Sequence, residues 1–117
     1  MSLSTHVLDT MHGTPAGGMR VQLFTMLNQQ AVLVKSFALS SDGRAPDGLL
    51  YDSASLRAGT YRLVFDVAAY FRDKGVNLPE PPFLDKVTLD FGVADASQHY
   101  HVPMLVSPWS YSTYRGS

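Results

Sequence analysis

The chain has 117 residues, 45% of them hydrophobic, which suffices for one ordinary core and a single domain over 1–117. A net charge of −1, with no Lys/Arg-rich patch interleaved with aromatics, argues against a nucleic-acid or anionic-membrane partner. The absence of cysteine excludes a disulfide framework, a thiolate nucleophile and a cysteine-based zinc site, and it suits a reducing compartment. Leu3 to Leu8 reads as a first strand, closed by the turn-rich loop Asp9 to Gly18. Met19 to Met26 alternates, with Val21 and Leu23 on one face and Arg20 and Gln22 on the other, and Gln30 to Leu39 repeats the alternation. Two Asp-Gly pairs within Ser40 to Gly48 mark a hairpin or bend. Thr60 to Phe65 is a further strand, rich in β-branched and aromatic residues. Asp66 to Lys74 breaks the pattern: Val67, Tyr70 and Phe71 fall at i, i+3 and i+4, Asp66 stands where a cap is needed, and Gly75 supplies a stop. This spacing predicts one short helix over about 66–74. Lys86 to Phe91 and Tyr100 to Val106 complete a series of short strands that implies a β-sandwich or barrel.

Met1 to Asp9 lacks the basic and apolar regions of a signal peptide, and no apolar stretch reaches the roughly 20 residues of a membrane helix. A cytoplasmic protein without a membrane partner is the expectation.

Chain ends usually fray, yet the segment His99 to Ser117 carries two His, one Trp, three Tyr and an Arg. Side chains alternate along a strand, so His6 shares a face with Ser4 and Leu8, while Leu3 and Val7 face the other way. If Val7 belongs to the core, His6 leaves it. The same alternation sets His99, His101, Pro103 and Leu105 on the face opposite Tyr100, Val102, Met104 and Val106. Two outward His on separate strands can form an acid–base pair, because imidazole titrates near neutral pH. His99 either orients its neighbours or faces solvent, and His12, in its turn-rich loop, reads as exposed. His99-x-His101 also imitates a zinc site, but no nearby carboxylate is evident as a partner for those rings, and no metal or other cofactor is expected. Trp109, Tyr111 and Tyr114 read as interface packing rather than as a stacking platform for bases.

Three segments together resemble one family. Thr5-His-Val-Leu-Asp-Thr followed by Gly13-Thr-Pro-Ala16 is similar to its N-terminal signature, and Ser107-Pro-Trp-Ser-Tyr-Ser-Thr113 to its C-terminal strand signature. The spacing of Asp66, Tyr70 and Gly75 is similar to the one short helix of transthyretin. The ending Tyr114-Arg-Gly-Ser117, together with His6 and His101, resembles the transthyretin-related 5-hydroxyisourate hydrolases rather than the hormone carriers. The resemblance covers essentially the whole chain. It implies an all-β, transthyretin-like, two-sheet antiparallel sandwich of eight strands with one short helix, which pairs by edge strands and again into a homotetramer. The implied active sites line the dimer–dimer interface.

The implied reaction is hydrolysis of 5-hydroxyisourate at an amide-type bond, giving 2-oxo-4-hydroxy-4-carboxy-5-ureidoimidazoline on the way from urate to allantoin. Catalytic roles are carried by the resemblance onto His6, Arg44, His101 and Ser117, and substrate-binding roles onto His6, Arg44, Tyr114 and Arg115. Arg44 is a permanent cation whose planar donor fork suits a flat, anionic, oxygen-rich ring. Ser117 offers a hydroxyl or a terminal carboxylate, and it is not placed on a strained elbow as a triad nucleophile would be. Which His acts as base stays open. The rival function is a small-molecule carrier of transthyretin type using the intersubunit channel. Tyr114 argues against it, since a bulky phenol at the channel mouth shortens a cavity that a carrier keeps open.

Overall fold

A computed structural model describes residues 2–52 and 54–116. Two four-stranded sheets face each other. One has the order β2-β1-β7-β8 and the other β4-β3-β5-β6. The strands are β1 (Ser2–Asp9), β2 (Thr14–Pro15), β3 (Arg20–Leu27), β4 (Gln30–Ala38), β5 (Gly59–Asp66), β6 (Lys86–Val93), β7 (His99–Val106) and β8 (Tyr111–Thr113), with helix α1 at Val67–Asp73 between β5 and β6. Period-two alternation explains why these segments pair face to face. Leu3 and Val7 of β1, Val21 and Leu23 of β3, Leu63 and Phe65 of β5, and Met104 and Val106 of β7 are fully buried between the sheets. Each such side chain contributes about 1.5–3 kcal/mol relative to exposure, and this burial holds the sheets together.

The six longer strands lie where the alternation predicts them. β2 and β8, two and three residues long, are too short to show a period. Strand pairing is antiparallel with one exception: β1 and β7 run parallel, with Ser4 opposite His101 and His6 opposite Pro103. The helix stops at Gly75, whose φ of +83° suits a residue without Cβ. Its start differs from the expectation. Asp66 holds the N-cap position but makes no side-chain capping bond; the amides of Val67 and Ala68 donate instead to the Asp85 carbonyl, at 3.1 and 2.9 Å. The Asp66 carboxylate lies 3.9 Å from Lys86 Nζ. Tertiary pairing with the neighbouring loop thus does the capping that local sequence assigns to a side chain. Among the described residues no helix is long and apolar enough to cross a membrane.

Candidate active site

The outer face of the β1/β7 pair gathers the chemistry. Because the two strands run in register, Ser2, Ser4 and His6 of β1 and His99 and His101 of β7 project from the same side, away from the core. His6 and His101 are both half-buried. On the other side of β1, Arg44 stands opposite His6 in an antiparallel bridge. The loop that brings it there is tightly constrained. The Val7 amide donates to the Gly43 carbonyl at 2.9 Å, the Ser40 amide to the Arg44 carbonyl at 2.8 Å, and the Arg44 amide to Asp42 Oδ1 at 3.1 Å. Gly43 has φ +77°, and a Cβ there would lie 2.5 Å from the Val7 carbonyl oxygen. The Asp-Gly-Arg turn therefore needs its glycine both for the left-handed backbone and for the close approach to β1.

His101 occupies the centre of this face. Its Nδ1 lies 2.7 Å from Ser4 Oγ. On the opposite side, the tail after β8 continues in the same antiparallel register, and the Gly116 amide donates to the His101 carbonyl at 2.8 Å. Directly opposed residues in an antiparallel pair point to the same side. A side chain at Gly116 would accordingly meet the imidazole: an added Cβ lies 2.7 Å from His101 Cδ2 and 3.2 Å from its Cβ. Burial pushes the His101 ring below the ordinary imidazole pKa, and the charge of Arg44 and the neighbouring His6 and His99 push it in the same direction. These influences favour the neutral ring, the form that accepts a proton.

Of the residues expected in the site, His6, Arg44 and His101 come together here, with His99 beside them, its ring nearly parallel to that of His101 at 6.4 Å between centroids. Arg115 is placed differently. Its guanidinium lies 4.1 Å from the ring of Tyr100, a core-facing residue, and donates to Gln98 Oε1 and to the His99 carbonyl. With Tyr114 it borders a cleft of about 460 Å³ between β6 and the tail, a cleft that His6 and Arg44 do not line. Ser117 lies outside the described residues. His12 is exposed, as its loop suggests, and in addition its ring nitrogen is 2.6 Å from the buried Asp9 carboxylate and its ring stacks on Phe71. The site residue that local pattern did not single out is Ser4. The available signal was the polar row Ser2, Ser4, His6 on one face of β1, but its partners lie on a strand nearly a hundred residues away.

The HIUase/Transthyretin family model matches residues 3–116. The chain belongs to the HIUase/Transthyretin family. A family member from Ralstonia nicotianae named 5-hydroxyisourate hydrolase is 55% identical over 98% of this chain and 97% of its own length. The structure of Klebsiella pneumoniae 5-hydroxyisourate hydrolase aligns over the full length of both chains with 32% identity and a TM-score of 0.78. A crystal structure of (S)-allantoin synthase gives a TM-score of 0.92 at 44% identity; it covers 99% of this chain, which in turn spans only 43% of that protein. In this chain's sandwich, the outer face of β1 and β7 carries three imidazoles, those of His6, His99 and His101, with Arg44 bridged to His6.

Proposed function

We propose that the chain is a 5-hydroxyisourate hydrolase that opens the ring of its substrate at an amide-type C–N bond, yielding 2-oxo-4-hydroxy-4-carboxy-5-ureidoimidazoline. The observation that carries this reading is the convergence of His6, Arg44 and His101 on one outer sheet face, in a chain 55% identical to a protein of that name. Ring-opening hydrolysis needs a base for water and a cation or donor for the oxyanion that forms at the attacked carbonyl. A neutral, half-buried imidazole supplies the first, and Arg44 supplies the second together with a planar fork for the substrate's oxygens. His6, beside Arg44, holds or returns the proton at the leaving nitrogen. Tyr114 and Arg115 bound the substrate from the tail, and Ser117 adds a polar group beyond Gly116.

One chain leaves this face open to water. A homotetramer that sets a second copy over the face, making the site a dimer–dimer interface, would enclose it. The chemistry runs without metal or other cofactor, in the reducing compartment that a cysteine-free chain suits. The reading is tested by following freshly generated 5-hydroxyisourate in the ultraviolet with purified protein. His6→Asn and His101→Asn are each expected to lower turnover by about 10² to 10⁴ while leaving the fold intact, since neither ring belongs to the core. No acceleration by the wild-type protein, or full activity in both variants, would overturn it. Binding of an apolar ligand without turnover would favour a carrier.

A further inference from the structure

His101 does not stand alone on its strand. Ser4 Oγ lies between two imidazoles, 2.7 Å from His101 Nδ1 and 3.3 Å from His99 Nε2, and His99 Nδ1 is in turn hydrogen bonded to Ser2 Oγ. Ser4 is 6% exposed, whereas His99 is exposed, so the row runs from the half-buried site to solvent. A hydroxyl has one proton and its oxygen accepts others, and a neutral imidazole has one N–H and one lone pair. The Ser4 hydroxyl can donate to only one of the two rings, so at least one imidazole presents its N–H to Ser4 Oγ. Donation from His101 Nδ1 to Ser4 and from Ser4 to His99 Nε2 satisfies both contacts and couples the two tautomers.

We propose that Ser2, His99 and Ser4 form a hydrogen-bonded relay that keeps the His101 proton on Nδ1, leaves Nε2 free to act as base, and passes the abstracted proton to solvent. This rests on the hydrolase reading above. Among the described residues His101 Nε2 has no hydrogen-bond partner, and the nearby Arg44 cation favours a lone pair over an N–H turned outward. As water attacks, its proton goes to His101 Nε2 and the Nδ1 proton to Ser4 Oγ. The Ser4 hydroxyl proton passes to His99 Nε2, the His99 Nδ1 proton to Ser2 Oγ, and the Ser2 proton to solvent. One proton leaves the site, and each group in the row ends neutral. Run in reverse, the row takes up a proton from solvent at Ser2 and returns one through Ser4 to His101 Nδ1, so that the Nε2–H can pass to the leaving nitrogen, which His6 holds, and His101 ends neutral in its starting tautomer. Ser4 is thus a positioning residue acting through His101.

The charged or titratable groups facing His101 are Arg44 from the loop beside β1, His6 on β1 and His99 on β7. These and burial depress the ring, and none of them changes when Ser4 loses its hydroxyl. Ser4→Ala is accordingly expected to lower kcat by about tenfold or more, with KM unchanged within about twofold and the acid limb of the pH profile unmoved. Ser4→Thr, which keeps a hydroxyl on the same carbon, should restore kcat. Nitrogen-15 NMR of the imidazoles gives a readout independent of turnover. Wild type and Ser4→Thr should carry the His101 proton on Nδ1 alone, and Ser4→Ala should lose this single tautomer, giving a mixture of Nδ1–H and Nε2–H rings. A wild-type His101 protonated on Nε2, an unchanged kcat in Ser4→Ala, or a Ser4→Thr as impaired as the alanine variant would overturn the relay. A wild-type protein inert toward 5-hydroxyisourate would instead defeat the hydrolase reading, while the tautomer measurement would still decide whether the row orders the proton.

Discussion

Gly116 and Gly43 both bring backbone close to the candidate site, for different physical reasons. At Gly43 an added Cβ meets backbone, 2.5 Å from the Val7 carbonyl oxygen, and the residue sits at φ +77°. Substitution there strains the fold and displaces Arg44 together. At Gly116 the backbone is outside the left-handed region, and the atoms in the way belong to His101, the nearest at 2.7 Å. Alanine at 116 must therefore be accommodated by turning or shifting the imidazole away from Ser4 and the groove, at little cost to the sandwich. Gly116→Ala is expected to lower kcat about tenfold, roughly 1.4 kcal/mol in the barrier, because small displacements of a positioned base are costly. Steady-state hydrolysis with a melting curve as control checks this. An unchanged kcat would show that the ring yields without losing its alignment.

Where β1 ends, the loop before β2 and helix α1 are joined by one buried carboxylate. Asp9 accepts from the His12 amide at 2.9 Å, from the His12 ring at 2.6 Å and from the Tyr70 hydroxyl at 2.8 Å. Burial pushes the Asp9 carboxyl up, but these hydrogen bonds and the neighbouring imidazole outweigh it and hold the group below its ordinary value. The native state therefore favours the charged form. That stabilisation is complete above the unfolded-state pKa, about 3.9, and is lost as pH falls through the lower native value. Asp9→Ala, which leaves the buried Tyr70 hydroxyl without its acceptor, is expected to cost about 2–4 kcal/mol at pH 7 and to lose this acid limb. Urea midpoints of both proteins between pH 7 and 3 test it, and parallel curves would disprove the role assigned to Asp9. The same elements show what the sequence could and could not reveal. Alternation located the six long strands and turned His6 and His101 outward, since both properties are local. It could not reveal that β1 and β7 run parallel in a register that sets Ser4 against His101, because pairing between strands far apart in sequence leaves no mark on either period. The Asp9 network escaped for the same reason: a turn-rich loop gives no sign of a buried partner on a helix more than fifty residues on. The family motifs carried the choice of site residues further than the alternation did.

At the scale of the whole molecule, what stands out is how much reactive and apolar surface one chain leaves uncovered. His6, Arg44 and His101 lie on an outer sheet face, and water in such an open groove would weaken every electrostatic interaction the reaction uses. Trp109 is 57% exposed and lies 6.1 Å, ring to ring, from Phe83, which is 69% exposed; Tyr111 and Tyr114 are also exposed. Aromatics in this number on a domain of this size mark an interaction surface, and β6 and β8 present unpaired edges that a partner strand would satisfy. A closed homotetramer meets all three needs with copies of one chain. Activity should then follow assembly. Sedimentation equilibrium of the wild type is expected to give a tetramer at micromolar concentration. Trp109→Glu buries a charge only if Trp109 lies in an interface, since the tryptophan is exposed in the isolated chain. This variant should sediment as a smaller species, with unchanged secondary structure and with turnover reduced in proportion to the lost tetramer, although His6, Arg44 and His101 are untouched. Raising its concentration should recover both tetramer and activity together. A monomeric Trp109→Glu protein with full turnover would show that a single chain completes the site, and would remove the assembly from the mechanism.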